Sequence, residues 1–220
     1  MPKSPQNPES TTMSVDEAII KAGLSCIVKD GVRRTTMAGI ARAAQVSRPT
    51  LYRRYKDVTA LATALLTREL LDILDTVPRM PSDTEELVNT IVIYTDKARN
   101  NAFLRAIIET DPELLTTYSF RRFGQSQIAL IRYLETLIKQ VQVSDVARAH
   151  GEEPEAALLI RQDDPHVMAT MILVITQAAA LSAQAASSGF GSDDVWREEL
   201  TKTLKGYLSH DLTGSSRTIS

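Results

Sequence analysis

Arg48, Arg53, Arg54 and Lys56 stand within the segment "SRPTLYRRYKD", Ser47–Asp57, interleaved with Pro49, Thr50 and Tyr52. A guanidinium can fork onto guanine, and a threonine methyl or a proline ring can touch the methyl of thymine, so these groups suit the major groove of DNA. Tyrosine, arginine and lysine also hold phosphates, which fix register rather than sequence. If the segment is a short helix, steps of about 100° per residue put Leu51 and Tyr55 on one side, facing inward. Pro49, Thr50 and Arg53 then face outward, flanked by Arg48, Tyr52 and Arg54. That arrangement assigns base reading to Thr50 and Arg53, and phosphate contacts to Tyr52, Arg54 and Lys56. Proline is tolerated in a first helical turn, which explains why Pro49 is permitted but not why it shares a face with Arg53.

The neighbouring sequence supplies elements able to position this segment. Ser14 and Glu17 form a capping box, followed by Ile19, Ile20, Gly23, Cys26 and Ile27 at helical spacing, with Gly31 as the stop. Thr36 reads as the N-cap of a second helix with Met37, Ile40, Ala41 and Ala44 on its apolar face, ending near Gln45. Ser47 caps the short basic helix, and the helix starts at Thr36 and Ser47 can themselves receive phosphates. Asp57 caps a long fourth helix with Val58, Leu61, Leu65, Ile73 and Val77 on one side, ended by Pro78 and Pro81. A helix, a short turn and a second helix with such an exposed face is a DNA-reading unit.

Beyond it the pattern stays helical. Helices are expected at Thr84–Arg99 and Ala102–Glu109, then from Asp111-Pro112, reforming after Gly124 and running to about Val141. Residues 142–163 read as a connection with short helical turns. Asp164-Pro165 starts an alanine-rich helix to about Ser187, closed by Gly189. Ser192 starts a last helix with Trp196, Leu200, Leu204 and Leu208 along one side. No convincing alternating strand is found, so the fold class is all-α. The expected division is a disordered tail at 1–13, a DNA-binding domain at 14–57, a larger helical domain at 58–212 and a disordered tail at 213–220.

The net charge of −2 hides an asymmetry: residues 31–60 hold seven basic residues and one acidic, a balance of +6, leaving −8 for the remainder. Such a split marks an interaction surface, with a merely solvated basic face as the alternative. Cys26 is the single cysteine, so no internal disulfide can form, which suits a reducing cytoplasm. Met1–Met13 has no apolar core of a signal peptide. The apolar run Met168–Ala186 is interrupted by Thr170, Thr176, Gln177, Ser182 and Gln184, and reads as a buried helix rather than a membrane span. His150, His166 and His210 are scattered, so no metal site is expected. No nucleophile–base motif, glycine-rich phosphate loop or metal cluster is present, so no catalytic residue and no cofactor are expected.

The run "TTMAGIARAAQVSRPTLYRRYKDVTAL", Thr35–Leu61, resembles the N-terminal domain of TetR-type transcriptional repressors. Ile40, Ala41, Ala44, Val46, Ser47, Thr50, Leu51, Tyr52 and Tyr55 match that family's pattern. The likeness is strong over about residues 15–66, and "DPELL", "FGQSQ" and "IRQDDP" resemble ligand-domain segments more loosely. Three positions depart from it: Gln45 stands where glycine is usual, Gly23 where alanine is usual, and Val58 where lysine is usual. The resemblance implies an all-α homodimer, paired through the last two long helices, whose three N-terminal helices bind a double-stranded operator. It further implies a C-terminal cavity for a small-molecule effector that releases the DNA.

For that cavity, Tyr94, Phe103, Phe120, Phe123, Met168, Met171 and Gln177 are candidate lining residues, with ordinary core packing as the alternative for each. The alanines at 178, 179, 180, 183, 185 and 186 let helix backbones approach closely, which with the Trp196 helix suits a dimer bundle. A DNA-binding dimer without an inducer, controlled by a protein partner, is the alternative reading.

Overall fold

The computed structural model of the chain describes residues 13–76, 80–115, 124–149 and 159–209. The chain divides between Leu65 and Leu66 into two compact units. The first holds α1 (Val15–Asp30), α2 (Met37–Ala43) and α3 (Arg48–Tyr52). The second holds α5 (Thr84–Arg99), α6 (Ala102–Thr110), α7 (Gln125–Ala149), α8 (Pro165–Ser182), the short α9 (Ser187–Phe190) and α10 (Asp193–Leu208). α4 (Val58–Asp75) is continuous across the division. Among the described residues there is no strand, only an isolated bridge between Ile160 and Ser209. The architecture is all-α, as expected.

The expected caps of the first unit are formed. Ser14 Oγ accepts from Glu17 N at 3.1 Å, and Ser14 N donates to the Glu17 carboxylate at 2.9 Å. Gly31 ends α1 at φ 78°, its N–H bonded to Ile27 O. The Thr35 hydroxyl, buried, donates to Gly31 O at 2.8 Å and closes the α1–α2 turn. Ile19, Ile27, Ile40, Leu51 and Leu61 are fully buried and form the core on which the short α3 rests. Gly23 faces Leu61 and Leu65 of α4: a Cβ there would lie 3.0 Å from Leu65 Cδ1 and 3.1 Å from Leu61 Cδ2. The glycine, costly in a helix interior, therefore permits a close approach that alanine would crowd.

The turn between α2 and α3 is a Schellman motif. Val46 N donates to Ala41 O at 3.0 Å and Gln45 N to Arg42 O at 3.2 Å, with Gln45 at φ 56°. A side chain in this left-handed region costs about 1–2 kcal/mol, partly offset because glycine loses more backbone entropy on folding. Gln45→Gly is therefore expected to stabilise the protein by about 0.5–1 kcal/mol and raise the thermal midpoint by roughly 1–4 °C. A lowered midpoint would mean that the Gln45 side chain contributes more than its strain costs.

In the second unit α7 packs on α8, and α5 packs on α8 and α10. Buried Leu87, Ile91, Leu137, Ile138, Ile172, Leu204 and Leu208 belong to one core cluster. Between α7 and α8, Glu135 accepts from Lys139 at 2.6 Å and lies 3.1 Å from His166 Nδ1. Those two hydrogen bonds, that of Lys139 first, hold its carboxyl below the usual carboxylate range.

Two expected boundaries move. α7 runs to Ala149, not Val141, because residues read as a connection carry buried polar anchors. Gln142 Nε2 donates to Arg161 O and Asp163 O at 3.0 and 2.9 Å. Asp145, 2% exposed, accepts from Ile160 N at 2.8 Å and the Thr84 hydroxyl at 3.3 Å. α8 ends at Ser182 rather than near Ser187, where the Ser182 hydroxyl donates back to Ala178 O. A turn and α9 follow, closed by Gly191 at φ 73°. Val77, Pro78, the two outermost tails, residues 116–123 of the expected Asp111-Pro112 helix, and residues 150–158 of the connection, His150 included, lie outside the described residues.

Candidate nucleic-acid interface and effector cavity

The basic segment is a one-and-a-half-turn helix whose apolar side is consumed by the core. Leu51 is fully buried and Tyr55 half-buried, while Arg48, Pro49, Tyr52, Arg53 and Lys56 are exposed. Two caps fix its position. Thr36 Oγ1 accepts from Gly39 N at 3.1 Å at the start of α2. Ser47 Oγ accepts from Thr50 N at 3.2 Å and lies 2.7 Å from the Thr50 hydroxyl. Thr50 is half-buried with its hydroxyl engaged. Asp57 Oδ1 accepts from Ala60 N at 2.7 Å and starts α4 immediately after the basic run.

The cations of the segment fall into two kinds. Arg48 and Arg53 have no side-chain partner among the described residues, and Lys56, 82% exposed, has only a loose 3.8 Å approach to Asp57. Arg54 differs: its Nε is bonded to Asp16 in the first turn of α1, and its side chain is 28% exposed. The sequence placed Arg54 with the phosphate contacts; the fold gives it a second task, tying the end of α3 to the start of α1. Nothing local announces that pairing, because the partners are 38 residues apart.

In the second unit a partly open apolar cavity of about 70 Å³ is lined by residues of α4, α5, α6, α7 and α8, including Leu66, Leu70, Tyr94, Leu104, Gln127 and Gln177. Its polar features are few. Gln127 Nε2 donates to Gln177 Oε1 at 3.1 Å, and the Tyr94 hydroxyl donates to Leu70 O at 2.9 Å. Among the described residues no charged side chain lines it. A smaller apolar void of about 30 Å³ shares Tyr94, Thr95, Leu130, Leu173 and Thr176 with it. A third, more polar cavity of about 310 Å³ lies among Arg99, Asn100, Arg105, Gln184, Phe190 and Trp196.

Of the expected lining residues, the structure brings Tyr94 and Gln177 to the apolar cavity. Phe103 and Met168 are fully buried core side chains away from its wall, and Met171 is 46% exposed on the other side of α8. The side-chain types suited a cavity, but helical phase points them elsewhere. Phe120 and Phe123 lie outside the described residues. Sequence reasoning passed over Leu66 and Leu70 of α4, whose local signal is apolar periodicity, and reached Gln127 only through the looser resemblance of "FGQSQ" to a ligand-domain segment.

α8 is not wholly buried. By length and composition it is apolar enough to cross a membrane, with mean hydropathy 1.4. Met168, Ala169, Ile172, Leu173, Thr176 and Ala180 face the core. Val167, Met171 and Val174 are 61%, 46% and 48% exposed, and with Ala178 they repeat at four, three and four residues. That spacing forms one apolar stripe. On α10 the side carrying Trp196, Leu200, Leu204 and Leu208 is already buried within the chain.

Residues 19–65 match the family model described as bacterial regulatory proteins, tetR family. An HTH-type transcriptional regulator of Mycobacterium tuberculosis is 36% identical over 202 residues, covering 90% of this chain and 98% of that protein. The fold is similar to FadR of Bacillus subtilis, solved with stearoyl-CoA: TM-score 0.55 at 12% identity, over 87% of this chain and 98% of the other. It is also similar to SmeT in its triclosan complex: TM-score 0.54 at 16% identity, over 94% of this chain and 97% of the other.

Proposed function

Because this chain belongs to the TetR family of transcription regulators, we propose that it is a repressor that a small molecule releases from a near-palindromic operator. Members of the family are regulators rather than enzymes; they bind DNA and small-molecule ligands and function as dimers. The observation that carries the DNA reading is the outward face of α3. There Arg48 and Arg53 are exposed and unpaired among the described residues, beside Pro49, Tyr52 and Lys56. In this reading Arg53 and the Thr50 methyl meet base edges, while Tyr52, Lys56 and the helix starts at Thr36 and Ser47 hold phosphates. Arg54 contributes chiefly by holding α3 through Asp16.

The effector reading rests on the apolar cavity. Leu66 and Leu70 in its wall belong to α4, the helix that begins at the basic segment. A ligand that displaces these leucines shifts a helix whose other end follows the DNA-contacting residues, which is a route from cavity to operator. That FadR was solved with stearoyl-CoA, whose acyl chain is apolar, and SmeT with triclosan supports an occupant with a large apolar part in the same architecture. The exposed stripe on α8 supports pairing with a second copy, which removes it from water. A chromosomal operator places the protein in the cytoplasm.

Selection of bound DNA from a random pool tests the whole reading. The expected product is a near-palindrome with half-sites about one helical turn, or a multiple of it, apart. Adding apolar compounds to that complex should then release the DNA. Enrichment of no common sequence would overturn the proposal; a palindrome that no apolar compound releases would favour control by a protein partner.

A further inference from the structure

We propose that the polar cavity of the second unit is a head-group site. It takes the oxyanion of an amphipathic ligand whose tail lies in the apolar cavity. The inference deepens the effector reading above and rests on it. The two cavities border one another at Ala180, which stands in the wall of both.

Among the described residues no charged side chain lines the apolar cavity, which disfavours a carboxylate there, because a buried unpaired charge is costly. The polar cavity supplies what is missing. Arg99, its side chain 9% exposed, lies 4.2 Å over the Trp196 ring, and its Nε donates to Asp96 at 2.8 Å. Its Nη2 is 3.1 Å from Asp193 Oδ1 yet makes no hydrogen bond. Asp193 is thus an ion partner without hydrogen-bond alignment, and an incoming oxyanion would supply an aligned acceptor. Arg105, exposed, adds a second guanidinium with no side-chain partner among the described residues. The apolar cavity of about 70 Å³, open on one side, admits an alkyl tail.

Calorimetric titration of the full chain with octanoate, octyl phosphate and 1-octanol tests the proposal, in the parent protein and in Arg105→Gln and Arg105→Lys. At least one anion should bind more tightly than the alcohol, and the preferred anion identifies carboxylate or phosphate as the head. Arg105→Gln should weaken the anions about tenfold and leave 1-octanol unchanged, while Arg105→Lys keeps most of the affinity. Because Arg105 is exposed and has no side-chain partner among the described residues, the thermal midpoint of the unliganded variants should not move. If 1-octanol binds as tightly as both anions, or Arg105→Gln weakens all three alike, the head-group site is wrong and the effector cavity survives. If none of the three binds the parent protein, the head-group site and an effector cavity for such tails fall together.

Discussion

The double variant Met171→Glu, Val174→Glu is expected to sediment as a monomer at micromolar concentration and to bind operator at least about a hundredfold more weakly. Both residues stand on the exposed stripe of α8, 46% and 48% exposed, so the charges are solvated in the isolated chain and the fold should persist. In a dimer that buries the stripe, each glutamate replaces an apolar side chain worth about 1.5–3 kcal/mol on burial and adds an unpaired charge. The hundredfold loss follows from binding through one half-site rather than two, where each extra 1.4 kcal/mol is tenfold. Sedimentation equilibrium and operator titration check it. A variant that stays dimeric places the interface elsewhere on the chain, and one that turns monomeric with unchanged operator affinity removes dimerisation from the DNA-binding reading.

The second large effect is expected at α3, as a contrast between two cations. Arg53→Ala should lose preference for the operator over scrambled DNA by about 1–3 kcal/mol per half-site, because a guanidinium on a base edge carries sequence information. Lys56→Ala should weaken both DNAs alike and reduce the salt slope by about one per half-site, as loss of a phosphate contact does. The two residues are three apart and both exposed, so a difference between them reflects what each faces rather than folding. Binding measured over a salt series separates the cases. Full discrimination retained in Arg53→Ala would assign base reading to another residue of this face.

Much of the first unit was legible because its determinants are local. Ser14, Thr36, Ser47 and Asp57 each cap a backbone N–H three residues ahead, a relation readable from spacing alone. The inward Leu51 and outward Arg53 follow from helical phase. The strain at Gln45 was foreseeable from the residue usually found there and is present at φ 56°. The second unit was legible as helices but less well in its boundaries. The extension of α7 depends on Gln142 and Asp145, which look like loop residues until Ile160, Arg161 and Asp163 come to meet them.

By itself, the sequence determined the helical class, the order of helices, the caps and the basic face of α3. These depend on residues within a few positions of one another, where backbone geometry is set. Only the tertiary structure decided that Arg54 is tied to Asp16 and that Gln127 meets Gln177. It also decided that Phe103 and Met168 belong to the core, and that Arg99 keeps a buried N–H without a hydrogen bond. Those facts depend on which helices pack together and at what rotation. Apolar periodicity says that a face is buried; it does not say against what, nor how much space remains between the faces.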